Sequence, residues 1–300
     1  MSMQRPSKPI LLFLLLLQFA ACRDRGTNPT TISQMTKGTV DNNGVDIHYT
    51  DSKAGETVLF FVHGWGIDHT YWDSQTSYFS KAYRVVTIDL PGFGTSGRNR
   101  TSWTVEAYAR DIKAVMEALE LKKVILIGHS MSGSIVVEAA RAHPSGIIGL
   151  VGVDNMKAIG FAMTPEMERE WDTHYATMEK HFERSVAEEG KFLFSPTTDP
   201  AVQKRVLRDI SSADPAIAVA SLKNLDKYPF AQKLQSLEQP LYLINSDYQP
   251  TDTLAFKQNH IDYHLLNMGT TGHYPMIENS KRFNALLEKA IGSIMEKGAR

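Results

Sequence analysis

From about residue 40, short apolar runs alternate with longer segments in which apolar residues recur at helical spacing. Continuously apolar runs rich in β-branched residues are typical of strands buried on both faces of a parallel sheet. Residues 104–119 carry the apolar spacing of an amphipathic helix. This alternation predicts an α/β fold with a mostly parallel central sheet and helices on both faces. The apolar runs that predict strands occupy residues 57–62, 84–88, 124–127 and 147–153.

One internal stretch, residues 155–235, breaks this alternation. It contains helical segments, including a charged amphipathic stretch over residues 167–189, but no clear strand pattern. Because strand patterns resume after it, we predict that residues 155–235 form a helical cap inserted between two strands of the sheet. The predicted core then comprises residues 38–154 and 236–300. The strand patterns and the closing helix that follow the cap lie at residues 241–245, 261–268 and 281–296.

The N-terminus has the pattern of a secretory signal peptide, which we assign to residues 1–22. Arg5 and Lys8 precede a short apolar run at residues 10–17, and small residues follow directly before Cys22. The apolar run is too short to cross a membrane comfortably as a helix. Cys22 is the only cysteine of the chain, so no intrachain disulfide can form.

The position of Cys22, directly after Ala20 and Ala21, resembles the lipobox of bacterial lipoproteins. In that family the cysteine becomes the lipidated first residue after cleavage. The resemblance implies an exported, lipid-anchored envelope protein on the periplasmic or outer face of a bacterial membrane. An ordinary signal peptide with an unlipidated cysteine is the alternative. Residues 23–37 are polar and rich in Thr and Asn, which predicts a tether between the anchor and the core.

Length and composition are those of an ordinary globular protein. The 300 residues suffice for one large domain or two small ones, and 42% of them are hydrophobic while 22% are charged. The formal net charge is -1, and no basic run or alternation of basic and aromatic residues occurs. The chain therefore lacks the electrostatic features of a nucleic-acid-binding protein.

The segment at residues 123–133 combines a strand, a sharp turn and the start of a helix. Ser130 lies at the tip of the predicted turn, where the N-terminus of the following helix directs backbone N–H groups toward it. A serine in this position is often only a helix cap. The small residues Gly128, Ser132 and Gly133, however, suit a crowded and strained turn. The segment nearly matches the Gly-x-Ser-x-Gly nucleophile elbow, with Ser132 where that motif has its second glycine.

Two further segments carry polar residues directly after predicted strands. His63 and Gly64 follow the strand at residues 57–62, and His273 lies in a glycine-containing loop after the last predicted strand. Taken singly, the first is a glycine turn and the second a structural or solvated histidine. His273 follows Ser130 along the chain, as the histidine follows the serine in the order serine, acid, histidine.

These segments, together with Asp-Leu-Pro-Gly-Phe-Gly-Thr-Ser at residues 89–96, resemble the motifs of the α/β-hydrolase superfamily. The resemblance extends over nearly all of residues 40–294, and the motifs occur in the order that the superfamily has. It implies the α/β-hydrolase fold with an inserted cap. It also implies that Ser130 is the nucleophile and that His273 is the general base.

In this superfamily a His-Gly pair begins the loop that supplies part of the oxyanion hole. The resemblance therefore implies that the backbone N–H groups of Trp65 and Met131 stabilise the oxyanion. Loss of one such donor typically costs about 3 kcal/mol of transition-state stabilisation. The sequence contains no metal-ligand cluster and no phosphate-binding glycine loop, so we expect neither a metal nor a cofactor.

Two aspartates compete for the acid of the triad. Many members of the superfamily carry the acid after the strand that follows the cap, but the usual spacing there falls on Gln249, and Asp247 comes two residues earlier. A minority carry it after the strand that follows the nucleophile helix, which here ends at Asp154. Either aspartate could instead cap a loop or helix. We prefer Asp154 for its position in the fold and keep Asp247 as the alternative.

The expected function is that of a serine hydrolase that cleaves an ester or related acyl bond of a small apolar molecule through a Ser-His-Asp triad and an acyl-enzyme. A serine at the elbow argues against the superfamily branches with an aspartate nucleophile. Lactonase, carbon–carbon bond hydrolase and perhydrolase activities are alternatives on the same fold, and a small-molecule receptor without turnover is another. The expected partners are a small ester-like substrate and a membrane through the lipid anchor only, with no nucleic acid.

Overall fold

The computed structural model describes residues 35–161 and 163–298. The predicted signal peptide with Cys22 lies outside this part of the chain, as do all but the last three residues of the predicted tether. No helix within the described ranges is long and apolar enough to cross a membrane.

The described residues form an eight-stranded sheet with the strand order β1-β2-β4-β3-β5-β6-β7-β8. β1 pairs with β2, and β2 with β4, in antiparallel orientation, whereas every other neighbouring pair is parallel. This arrangement confirms the predicted α/β fold with a mostly parallel sheet. The strands are Thr36–Asn42 (β1), Val45–Asp51 (β2), Val58–Val62 (β3), Arg84–Ile88 (β4), Val124–His129 (β5), Ile147–Val153 (β6), Leu241–Ser246 (β7) and His264–Gly269 (β8).

Helices cover both faces of the sheet. Short 3₁₀ turns at His69–Trp72 and Gly190–Leu193 accompany the α-helices. The α-helices are Asp73–Phe79 (α1), Val105–Ala118 (α2), Ser132–Ala142 (α3), Pro165–Lys180 (α4), Phe182–Glu189 (α5), Pro200–Ser211 (α6), Pro215–Asp226 (α7), Phe230–Gln235 (α8), Thr253–Gln258 (α9), Pro275–Glu278 (α10) and Ser280–Gly298 (α11).

The centre of the sheet is the core of the molecule. Every residue of β3 and β5 is buried, because α2 and α3 pack together on one face while α1 and α11 pack together on the other. Gly149 in β6 permits the close approach of α11, since a Cβ atom there would lie 2.6 Å from the Ile294 side chain. The continuous apolar runs of the sequence therefore correspond to strands that are shielded from water on both sides.

An inserted helical segment, α4 to α8, lies between β6 and β7. Three of its helices begin with proline at the first position, and the preceding residue, Thr164, Asp199 or Asp214, accepts a hydrogen bond from a backbone N–H of the first turn. Proline suits this position because the first helical N–H groups have no partner within the helix. The amphipathic stretch at 167–189 is divided between α4 and α5 at His181, whose φ of -129° interrupts the helix.

Aromatic side chains join this helical segment, which we call the cap, to the core. The Tyr71 hydroxyl donates to Asp209 at 2.9 Å, and the Tyr228 hydroxyl donates to the buried Glu138 at 2.6 Å. Burial disfavours the ionised form of Glu138. Hydrogen bonds from Arg141 and Tyr228 outweigh that effect and hold the pKa of Glu138 below its ordinary value. The cap is thus docked through directed polar contacts in addition to apolar packing.

The last strand is shorter than the pattern at 261–268 predicts. β8 begins at His264, because His260 has a φ of 54° and the N–H of Ile261 donates to the carbonyl of Phe256. Ile261 therefore closes the end of α9 and does not pair with β7.

We predict that Leu150→Ala lowers the free energy of unfolding by about 2–5 kcal/mol, because it leaves a cavity at the centre of β6. Leu150 is 0% exposed and Leu254 is 60% exposed, so Leu254→Ala is the matched control. The control should change the free energy of unfolding by less than about 0.5 kcal/mol. Urea denaturation followed by intrinsic fluorescence measures both. Equal losses in the two variants would contradict the central position of β6.

Candidate active site

Ser130 occupies a strained turn between β5 and α3. Its φ is 52°, in the left-handed region that residues with a Cβ atom rarely adopt. Its N–H donates to the carbonyl of Val153 at 3.0 Å, and its carbonyl accepts from Gly133 at 2.9 Å, so the turn is fixed on both sides. The side chain lies at the carboxyl end of β5, beside the N-terminus of α3.

Small residues around Ser130 are required by close contacts. A Cβ atom on Gly128 would lie 2.5 Å from the carbonyl oxygen of Ser132, and one on Gly133 would lie 2.6 Å from the side-chain nitrogen of Asn155. Ser132 is completely buried, and its hydroxyl donates to the carbonyl of His63. The departure from the Gly-x-Ser-x-Gly pattern therefore joins the serine turn to the loop that follows β3.

His273 lies between Ser130 and Asp154 and contacts both. Its Nε2 is 2.8 Å from the Ser130 hydroxyl, and its Nδ1 is 2.7 Å from Asp154 Oδ2. Its backbone N–H donates to Leu193 at 2.7 Å, and its carbonyl accepts from His129 Nε2 at 2.7 Å. The loop that carries His273 is thus held by both the cap side and the serine turn.

His129 is a neutral structural partner of this loop. Burial lowers the pKa of His129 to about 3, so the ring is uncharged near neutral pH. Because Nε2 carries the proton that is donated to the His273 carbonyl, Nδ1 is unprotonated, and this buried atom has no hydrogen-bond partner among the described residues.

Asp154 directly follows β6 in a left-handed conformation, with a φ of 47°, and its side chain is 3% exposed. Oδ1 accepts from the backbone N–H of Ser246 at 2.8 Å and forms an ion pair with Lys157 at 2.7 Å. Burial disfavours the charged carboxylate, but the hydrogen bond and charge of His273, together with Lys157, outweigh burial and hold the pKa of Asp154 well below its ordinary value.

Asp247, the alternative acid, has a different environment. It is exposed, its carboxylate accepts from the Asn267 side chain at 2.7 Å, and its N–H donates to Gly269. The neighbouring Ser246, which sequence reasoning did not single out, is the residue of this loop that contacts Asp154. The structure therefore brings Ser130, His273 and Asp154 together and leaves Asp247 outside this group.

The loop after β3 runs beside Ser130. A Cβ atom on Gly64 would lie 2.5 Å from His129 Nδ1 and 3.1 Å from Ser130 Cβ, so only glycine permits this approach. The Trp65 indole donates to the carbonyl of Ala218 at 2.8 Å and fixes the loop against the cap. Within the described ranges, the backbone N–H groups of Trp65 and Met131 donate to no protein acceptor. Both donors are therefore available to another group.

The buried side chain of His63 holds the same loop in place. Its Nε2 accepts from the N–H of Leu90 at 2.9 Å, so the proton lies on Nδ1, which donates to the carbonyl of Gly64 at 2.7 Å. Burial lowers the pKa of His63. The nearby Asp89 accepts hydrogen bonds from His69 and Thr95, which shapes the loop of residues 89–96. These residues position the Gly64 loop and do not reach Ser130.

A cavity of about 600 Å³ opens over Ser130, Asp154 and His273. Its volume is that of a small-molecule site. No group of three or more His, Cys, Asp or Glu side chains in the described part of the chain is arranged to hold a metal ion. The cap and the loop after β6 supply most of the remaining wall, with Met156, Ile159, Phe161, Leu225, Tyr228, Phe230 and Gln249 among its residues.

The chain is similar to curated proteins over part of their length. A non-heme chloroperoxidase of Streptomyces lividans is 39% identical over 112 residues, which is 36% of this chain and 40% of that protein. A bifunctional esterase/perhydrolase of Acinetobacter calcoaceticus is 36% identical over 104 residues, which is 34% of this chain and 38% of that protein. The chain thus spans about two fifths of each of these two relatives.

The whole fold also has solved counterparts. A thermophilic esterase from Thermogutta terrifontis superposes with a TM-score of 0.74 at 22% identity, covering 87% of this chain and 99% of that one. Residues 57–280 match the sequence profile of the family described as alpha/beta hydrolase fold. This match covers the strands that carry Ser130 and Asp154 and the loop that carries His273. The chain therefore belongs to the α/β-hydrolase family.

Proposed function

We propose that this protein is a serine hydrolase that cleaves an ester or related acyl bond of a small, largely apolar substrate. The observation that carries the proposal is the continuous chain of contacts from the Ser130 hydroxyl through His273 to Asp154, at 2.8 and 2.7 Å. Such a chain joins a nucleophile, a base and an orienting acid within hydrogen-bond reach.

In the proposed reaction His273 Nε2 accepts the Ser130 proton as the serine oxygen attacks the acyl carbon. Asp154 holds Nδ1–H and stabilises the imidazolium that forms. The protonated His273 then donates its proton to the leaving alcohol, which leaves an acyl-enzyme. His273 next deprotonates a water molecule, and attack of that water on the acyl-enzyme releases the acid and restores Ser130.

The N–H groups of Trp65 and Met131 are the proposed donors to the oxyanion. Met131 stands at the N-terminus of α3, whose dipole favours negative charge at that point. Hydrogen bonds that already hold the Gly64 loop to Ser132, His63 and the cap support this role, because a preorganised donor needs no rearrangement when the charge develops.

The wall of the cavity supports the substrate class. Met156, Ile159, Phe161 and Phe230 offer apolar surface. Polar and charged groups of the wall include Asn155, Lys157, Asp226, Gln232 and Gln249. Apolar surface combined with placed polar groups is typical of sites for small organic molecules. The esterase named among the solved counterparts agrees with ester cleavage.

Perhydrolysis is a second candidate, because the relatives include a bifunctional esterase/perhydrolase and a non-heme chloroperoxidase. In that reaction hydrogen peroxide replaces water as the group that attacks the acyl-enzyme, and a peracid is released. The same Ser130, His273 and Asp154 would serve both reactions. Assays with and without hydrogen peroxide separate the two products.

We predict that the protein hydrolyses p-nitrophenyl butyrate and that Ser130→Ala lowers kcat/KM by about 10⁴-fold or more, since the nucleophile is lost. A fluorophosphonate should label the wild type at Ser130 and leave the variant unlabelled. Ser134→Ala, in the helix that follows Ser130, is the control and should keep its label. Ser134 lines the cavity without a contact to His273. A wild type that is neither labelled nor active would contradict the hydrolase proposal.

We predict that Asp154→Asn lowers kcat for the same ester by about 10⁴-fold, because the amide cannot stabilise the protonated form of His273. Asp247→Asn is the matched control, since it also follows a strand but contacts Asn267. The control should retain turnover within about 2-fold of the wild type. The opposite ranking of the two variants would make Asp247 the acid. Circular dichroism checks that both variants fold.

A further inference from the structure

We propose that Lys157 is a positioning residue that holds Asp154 and moderates the stabilisation that this carboxylate gives to protonated His273. The proposal rests on the hydrolase function proposed above. Neither the sequence pattern nor the names of the relatives point to this lysine. It lies three residues after Asp154 in a loop, outside any helix, so its spacing alone predicts no contact.

The ammonium group of Lys157 has an acceptor for each of its three hydrogen-bond donors. Nζ lies 2.7 Å from Asp154 Oδ1, 3.0 Å from the Ser246 hydroxyl and 3.2 Å from the Ser246 carbonyl. An ammonium has three donors, and these three acceptors match them. The Lys157 side chain is 13% exposed, and its carbonyl accepts from the N–H of Asp252 at 2.8 Å. Both ends of the residue are therefore held.

The two carboxylate oxygens of Asp154 have different partners. Oδ2 faces His273, while Oδ1 accepts from Ser246 N–H and pairs with Lys157. Fixing Oδ1 in this way sets the plane of the carboxylate, and so the direction in which Oδ2 meets His273 Nδ1. Lys157 and Ser246 thus position the acid of the proposed triad without touching the reacting atoms.

Charge gives Lys157 a second effect. The imidazolium formed when His273 takes a proton is stabilised by the negative charge of Asp154. A cation on the same carboxylate offsets part of that charge and repels the imidazolium. Removal of the Lys157 charge should therefore strengthen the attraction between Asp154 and the imidazolium.

The other titratable groups near His273 do not duplicate this effect. His129 is buried and neutral near neutral pH, and burial raises the pKa of Tyr274, so its hydroxyl stays protonated. Glu278 accepts from the N–H groups of Gly272 and Tyr274, and Asp226 lies on the cavity wall. Within the described part of the chain, ion pairs to Asp154 come from Lys157 and His273.

Two substitutions separate charge from bulk. Lys157→Met keeps an unbranched apolar side chain and removes the charge, whereas Lys157→Arg keeps the charge. Lys233→Met is the matched control, because Lys233 is 23% exposed and lies 3.5 Å from the buried carboxylate of Glu138, which does not contact the triad. The two methionine variants thus remove partly buried cations, each paired with a buried carboxylate, at different sites.

We expect the acidic limb of the pH profile to move to higher pH in Lys157→Met by roughly 0.5–1 pH unit. The profile is measured from about pH 5 to about pH 9, which is the range in which histidine side chains commonly titrate. The two readouts are the rate of Ser130 labelling by a fluorophosphonate and kcat/KM for p-nitrophenyl butyrate. Lys157→Arg and Lys233→Met should follow the wild type. The downfield NMR resonance of the His273 Nδ1 proton gives the same midpoints without turnover.

Coincident acidic limbs in the wild type and Lys157→Met, whatever the plateau rate, would overturn the proposal. If Lys157→Met fails to fold by circular dichroism, Lys157→Gln carries the same expectation and the same refutation. A wild type that is not labelled at Ser130 refutes the hydrolase function instead. The NMR midpoints of the wild type and the Lys157 variant then still decide whether Lys157 acts on His273.

Discussion

The candidate site depends on the burial of one negative charge, the carboxylate of Asp154. A carboxylate that is 3% exposed loses hydration, and its burial is unfavourable by roughly several kcal/mol unless partners replace the water. His273, Ser246 and Lys157 replace it, and they lie at or just beyond the carboxyl ends of three neighbouring strands, β8, β7 and β6. The sheet has to bring these strand ends together for the charge to be buried, so the site depends on the complete parallel part of the sheet.

A second constraint acts on the other side of Ser130. The strained serine turn and the Gly64 loop come from adjacent strands, β5 and β3, and the buried hydroxyl of Ser132 bonds one to the other through the His63 carbonyl. In the Gly-x-Ser-x-Gly motif that position is a glycine, which has no side chain for such a bond. The Ser132 hydroxyl therefore adds a connection between the Ser130 turn and the loop that carries Trp65, a proposed oxyanion donor.

The cap contributes to the geometry of the candidate site and to the wall of its cavity. It supplies the carbonyl of Leu193 that holds the His273 backbone, the carbonyl of Ala218 that holds the Trp65 indole, and much of the apolar cavity wall. Its docking through Tyr71 and Tyr228 fixes the cap helices relative to the core. The same segment thus both lines the cavity and holds His273 in place.

The sequence by itself determined the fold class, the inserted helical segment and the roles expected of Ser130 and His273. These features depend on local causes, because burial on both faces demands continuous apolar runs and a strained turn demands small neighbours. The sequence did not decide between two candidates for the acid. Asp154 and Asp247 each follow a strand whose carboxyl end reaches the same edge of the sheet. Only the tertiary structure decided which aspartate lies beside His273 and that Lys157 and Ser246 hold it, because those contacts depend on distances between loops that no spacing along the chain encodes.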